Sequence, residues 1–138
     1  METAGATTTD RRIDPIRLFL SSSGRMGRAA FLVAVAALAG VFAVYETFTP
    51  AGLHVWTAWA VHLPLLFSAA CVLSKRLHDR GRAGWWAAFP VLAFAAAVAG
   101  PAPAAIVALA AVVLAWAAVE LGALPGQPGH NRFGPPPS

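Results

Sequence analysis

The stretch AGWWAAFPVLAFAAAVAGPAPAAIVALAAVVLAWAAV, residues 83–119, holds no charged side chain over roughly 37 positions. About 20 residues at 1.5 Å rise cross a hydrocarbon core of about 30 Å, so a single helix of this length overshoots a bilayer. The chain must turn back inside the stretch. Gly100-Pro101-Ala102-Pro103 supplies the reversal, because two prolines spaced by one residue remove backbone donors and bias the residues before them away from the helical region. The reading is two antiparallel apolar helices, at about 85–99 and 104–121.

Toward the N terminus the pattern repeats. Lys75, Arg76, His78, Asp79, Arg80 and Arg82 are crowded into eight residues and form a charged central loop. Before it, residues 53–73 are interrupted only by His54, His62 and Pro64, and residues 29–48 are free of charge until Glu46. Thr49-Pro50-Ala51-Gly52 is a turn between these two runs. Pro15 opens a short segment, Ile16-Arg17-Leu18-Phe19-Leu20, that suits one or two helical turns in the membrane interface or, equally, a plain linker ahead of the membrane, and Ser21-Ser22-Ser23-Gly24 breaks it. The expected architecture is an all-α, integral membrane four-helix bundle with a short interfacial N-terminal helix. Residues 1–14 form a disordered tail, 15–124 the membrane domain, and 125–138 a Pro/Gly-rich irregular tail.

Composition supports this division. Of 138 residues, 58% are hydrophobic and only 12% charged, and the mean hydropathy is +0.64, which excludes both an ordinary soluble domain and intrinsic disorder. The net charge of +4 comes from basic residues that border apolar runs, where they serve topology and contact with anionic headgroups, so no nucleic-acid partner is expected. Cys71 is the single cysteine and lies in an apolar run as a small hydrophobe. Residues 1–9 have no positive n-region, and no clean small-residue cleavage site follows the first apolar run, so a cleaved signal peptide is not expected.

Arg11, Arg12, Arg17, Arg25 and Arg28 precede the first span; Lys75, Arg76, Arg80 and Arg82 separate the second and third; Arg132 follows the fourth. The turns at the other end have no basic residue, which directs both termini to the cytoplasm. A three-span arrangement, with residues 85–121 as one bent element, is disfavoured by length more than by charge.

Three polar clusters fall on that side: GRMGR at 24–28, KRLHDRGRAGWW at 75–86 and GHNRFGP at 129–135. Their order and wording resemble the bacterial inner-membrane family DUF805, in which a Gly-Arg-x-x-Arg precedes the first span, an Arg-Leu-His-Asp with Gly and Trp-Trp precedes a later one, and Gly-x-Asn-Arg-Phe-Gly-Pro closes the chain. The resemblance spans roughly residues 19–137 and implies a small multi-span protein of the bacterial inner membrane, with no established activity.

Arg25, Arg28, Arg76, Arg80, Arg82 and Arg132 are candidates for a site that takes phosphate or carboxylate, or for topogenic flanks that meet lipid headgroups; the second reading is preferred because basic flanks do this in most membrane proteins. His78, Asp79 and Asn131 are expected to organise the patch, with Asp79 pairing Arg76 or Arg25 rather than acting as a base or metal ligand. His54 and His62 lie eight residues apart on one face of the second span, with Glu46 near His54 across the turn. A proton or ion path is one reading, and a neutral His62 bonded to a neighbouring helix the preferred one. Glu120 is the other intramembrane polar residue, with Arg132 or Arg28 as partner. Trp85-Trp86, and Trp56, Trp59 and Tyr45, suit aromatic belts at the two interfaces. Ala36/Gly40 and Ala96/Gly100 offer smooth faces for close helix packing.

The sequence holds no recognisable catalytic set, metal array or cofactor motif, so neither metal nor cofactor is expected. The functional reading is a small membrane component or scaffold that meets the lipid bilayer, anionic headgroups and a membrane-protein partner or second copy of itself. The alternative is a transporter or membrane enzyme acting on an anionic substrate at the patch, which requires a polar cleft rising toward His62. Reporter fusions after Ser23, at Ala51, at Arg80, at Ala102 and after Ser138 are predicted to read in, out, in, out, in; an external C terminus would select three spans instead.

Overall fold

The computed structural model describes residues 14–137. Of the tail expected over residues 1–14, all but Asp14 lies outside the described residues. Asp14 opens the first helix, α1 (Pro15–Leu20): its carboxylate accepts the Ile16 N–H at 3.0 Å, and Pro15 needs no partner for the donor it lacks. Ile16 and Leu20 face outward while Leu18 and Phe19 pack against the core, so α1 is amphipathic in the manner of an interfacial helix.

Four apolar elements follow: α2 (Arg28–Phe48), α3 (Ala51–Asp79), α4 (Ala88–Val98) with a 3-10 turn before it (Gly84–Ala87), and α5 (Ala104–Ala117), which widens into a π-helical turn (Ala118–Ala123). Among the described residues there is no strand, only one isolated bridge between Asn131 and Gly134. Three elements are long and apolar enough to cross a membrane: α2, α3, and α5 with its π turn. The segment Gly84–Val98 is apolar but shorter. The reversal after it falls at Gly100, in the left-handed conformation at φ 115°.

α3 extends beyond the run expected at 53–73. At 29 residues it reaches about 43 Å, so it outlasts the hydrocarbon and carries Lys75, Arg76, His78 and Asp79 into the polar zone as helix rather than loop. Nothing in that sequence breaks a helix, and cations near its C terminus suit the helix dipole. Gly81 ends it. At φ 72° its N–H reaches His78 O at 3.0 Å while Arg82 N–H reaches Leu77 O at 2.8 Å, the paired bonds of a Schellman cap. The helix also runs through Pro64, at the loss of one backbone donor.

The tightly packed core sits at one end only. Met26, Phe31, Ala34, Val72, Leu77, Ala87, Ala117 and Leu121 form it. Elsewhere the helices present Val33, Val44, Trp56, Trp59, Leu63 and Leu109 outward, an apolar surface that lipid must cover. Ala36 and Gly40 lie on this outer surface, not against a neighbouring helix as their spacing suggested. α2 packs on α3 and α4 on α5, but the α2 and α5 backbones approach each other only at the π turn. Between the two hairpins lies an apolar cleft of about 600 Å³, lined by residues such as Phe31, Leu38, Phe42, Leu66, Phe94 and Leu114, with His62 in its wall.

Residues 24–26, the end of α3, and the residues after α5 all meet at the core end. The chain thus crosses the bundle an even number of times. A disulfide between cysteines placed at Gly27 and Pro137, where a Cβ on Gly27 would lie 3.7 Å from the Pro137 Cβ, is expected to form without loss of folded yield, whereas one between positions 40 and 112 is not, measured by mobility shift after mild oxidation.

Candidate functional site

The core end is built around a buried carboxylate. Asp79, on the last turn of α3, has 3% of its side chain exposed and is held by two guanidinium groups. Arg25 meets Oδ1 through Nη2 at 2.9 Å and Nε at 3.1 Å, and Arg76, one turn back on the same helix, donates to Oδ2. Taking these charges from water is expensive, so every remaining polar atom needs a partner. Among the described residues no buried side-chain nitrogen or oxygen is left without one.

The partners are largely backbone carbonyls. Arg76, fully buried, donates through Nε to Leu121 O at 2.8 Å, through Nη2 to Leu124 O at 2.6 Å and through Nη1 to Met26 O at 3.4 Å. Leu121 and Leu124 lie where α5 unwinds, and a helix end leaves carbonyls that its own backbone cannot satisfy. Arg28 adds a bond to Ala123 O at 3.3 Å and Arg80 one to Pro125 O. Three guanidinium groups therefore cap the negative end of α5 and the residues just after it. Glu120, in the π turn, accepts from Arg80 at 3.2 Å and Arg82 at 3.0 Å, not from Arg132 or Arg28.

The C-terminal tail folds back over this knot. Gln127 N–H donates to Asp79 O at 2.9 Å, and Asn131 Nδ2 donates to His78 O and Gln127 Oε1, both at 2.9 Å. Phe133 stacks on the His78 ring, 3.9 Å between centroids and 10° between planes, and His78 Nδ1–H donates to Gly24 O at 3.1 Å. Arg25 Nη1 and Nη2 donate to the carbonyls of Gly129 and Gln127. The three sequence motifs thus form one hydrogen-bonded body. Gly126 passes so close that a Cβ there would lie 1.9 Å from Asp79 Oδ2, which admits no other residue without movement.

The six arginines divide by what they face. Arg25, Arg76 and Arg80 spend their donors on the chain itself, whereas Arg28, Arg82 and Arg132 remain largely at the surface, with Arg132 over the Phe133 ring at 4.7 Å. Lys75 and Arg17 also belong to this end, though the motifs gave little reason to single them out. Lys75 Nζ donates to Arg17 O and to Leu18 O, the latter at 3.0 Å, and so ties down the C-terminal carbonyls of α1. Between α1 and the start of α2 lies a hollow of about 930 Å³, lined by Arg17, Ser21, Ser23, Arg25, Arg28 and Lys75. His62 lies away from the knot, at the far part of the apolar cleft, bonded to Glu46. The cleft walls are apolar side chains, unlike the polar route that an anionic substrate would need.

The family model described as "Protein of unknown function (DUF805)" matches residues 19–135. The chain is similar to the uncharacterized protein YiiR of Escherichia coli strain K12, 32% identical over 122 residues that cover 83% of this chain and 84% of that protein. YiiR of Escherichia coli O157:H7 matches with the same identity and coverage. No solved structure matches.

Asp79→Asn removes the charge that offsets Arg25 and Arg76 and should destabilise by about 3 kcal/mol, the lower figure for breaking a buried ion pair. Gly126→Ala should destabilise by about 2 kcal/mol through overpacking against that carboxylate. Both are read as a lowered thermal midpoint of the purified protein in detergent, and an unchanged midpoint for both would remove the knot from its structural role.

Proposed function

The chain belongs to the DUF805 family, whose function is unknown, and we propose that it acts as a small inner-membrane component that holds anionic lipid at its basic, cytoplasmic end. The observation that carries this reading is the hollow between α1 and α2, where Arg17, Arg28, Ser21 and Ser23 converge beside an amphipathic helix at headgroup level. Arg17 has 87% of its side chain exposed, and Arg28 makes one long bond to a carbonyl, so both keep donors for a phosphate. Guanidinium groups bind such oxygens in pairs, and Ser hydroxyls supply further donors.

The orientation rests on the distribution of charge. The described lysine and arginines all belong to the core end or to α1 beside it, and the opposite turns contain none. The positive-inside bias turns that end toward the cytoplasm, where the leaflet is anionic and attracts basic segments by about 1 kcal/mol per cation. Lys75 ties α1 to the end of α3, and its backbone carbonyl accepts the Met26 N–H just ahead of α2, so the hollow is preformed rather than assembled around a lipid.

Native mass spectrometry from nanodiscs of mixed phosphatidylglycerol and phosphatidylcholine tests the reading. The protein should retain phosphatidylglycerol preferentially, and Arg28→Gln should reduce that retention about fivefold, the factor that corresponds to about 1 kcal/mol. Equal retention of both lipids by the unaltered protein would overturn the proposal.

A further inference from the structure

We propose that Glu46, His54 and His62 form a binding site for a divalent cation of the zinc class, at the end of the bundle opposite the arginine knot. Glu46 lies on the last turn of α2, and both histidines lie on α3 beyond the short turn between the helices. Glu46 Oε1 is 3.1 Å from His54 Nε2 and 2.8 Å from His62 Nε2. One coordinating atom from each residue lies within 4.8 Å of the other two. Ligand atoms around a tetrahedral zinc at about 2.0–2.1 Å stand roughly 3.4 Å apart, so side-chain adjustments among Glu46 and the two imidazoles seat an ion among the three.

The donor chemistry selects the metal. Two imidazoles and one carboxylate are a zinc set with a fourth position left for water, whereas calcium and magnesium take oxygen ligands throughout. Binding uses the Nε2 lone pairs, so each coordinated ring carries its proton on Nδ1, and the two hydrogen bonds to Oε1 give way to three coordination bonds, two from nitrogen and one from the carboxylate. The rings are already positioned. Tyr45 packs on both, with centroids 5.1 Å from His54 and 5.5 Å from His62, and its hydroxyl is fixed by Thr57 Oγ1 at 2.8 Å. Phe42 holds the other side of His62 at 5.5 Å.

A second observation comes from the charge balance. The described carboxylates are Asp14, Glu46, Asp79 and Glu120, and among them only Glu46 has no arginine partner. It faces two imidazoles instead. A carboxylate near the hydrocarbon boundary needs a cation, and at this end of the described chain no lysine or arginine supplies one. The three side chains are 37%, 31% and 27% exposed for Glu46, His54 and His62, so an ion reaches them from the interface without separation of the helices.

The test uses the full chain carrying a histidine-free tag, stripped with EDTA, reconstituted in nanodiscs and equilibrated with buffered low-micromolar zinc. Metal content per chain should be one zinc, and Co²⁺ in its place should give the intense visible bands of a tetrahedral site. Glu46→Gln, His54→Gln and His62→Gln should each weaken zinc binding by on the order of 100-fold, while the exposed His130→Gln retains it. Thermal midpoints in EDTA establish that the variants fold; should Glu46→Gln fail to do so, His54→Gln, nearer the turn, carries the comparison. Zinc content of the unaltered chain equal to that of the triple variant, or zinc lost with His130→Gln alone, would overturn the proposal. The site is separate from the lipid hollow, so the two tests succeed or fail independently.

Discussion

Asp79 is a carboxylate removed from water and gripped by guanidinium groups from two separate parts of the chain, Arg25 ahead of α2 and Arg76 on α3 itself. A buried charge of this kind is tolerated only when it is fully paired. That requirement draws in the rest of the polar end: Arg76 must spend its other donors, and the carbonyls exposed where α5 unwinds are the acceptors within reach. Once α5 is held there, the tail is short enough to lie across Asp79, where Gly126 leaves room for the carboxylate and Gln127 bonds the end of α3. One acid thereby positions the N-terminal segment, two helices and the tail.

The opposite half of the bundle is organised by different forces. Lipid chains are as apolar as leucine, so no hydrophobic drive pushes the hairpins together inside a bilayer. The α2–α3 and α4–α5 pairs are each closed by a short turn, and they meet mainly toward the knot, where α3 packs on α4 and the 3-10 turn before it and the π turn packs on α2 and α3. An apolar cleft is the consequence. The molecule is therefore fastened at one end and open toward the other, the reverse of a water-soluble bundle whose apolar middle would be its tightest part.

The two ends also differ in electrostatic character. The basic end has more cations than its own carboxylates neutralise, and the surplus at Arg17, Arg28 and Arg132 faces outward. The other end has one acid and two imidazoles with no lysine or arginine nearby among the described residues. Excess positive charge suits phosphate at headgroup level, and a carboxylate with two neutral nitrogen donors suits a metal ion.

Sequence alone determined the all-helical membrane character and the reversals, because charge-free runs of bilayer length and Pro/Gly turns act locally and need no knowledge of neighbours. It also placed Asp79 among arginines and Asn131 near the central segment. It did not determine which arginine meets which acceptor: Glu120 pairs with Arg80 and Arg82, some 40 residues away, a choice set by where the π turn faces α3. The role of Gly126 and the ties of Lys75 to α1 had no local signal, since each depends on a contact between distant segments. The extension of α3 to Asp79 was hidden because charged residues read as a loop when they end an apolar run, although a helix can continue past that run where its charged side chains find partners. Only the tertiary structure decided these points, because side-chain pairing over long sequence separations follows from how the helices cross, and the apolar pattern that makes them cross the membrane is silent about that.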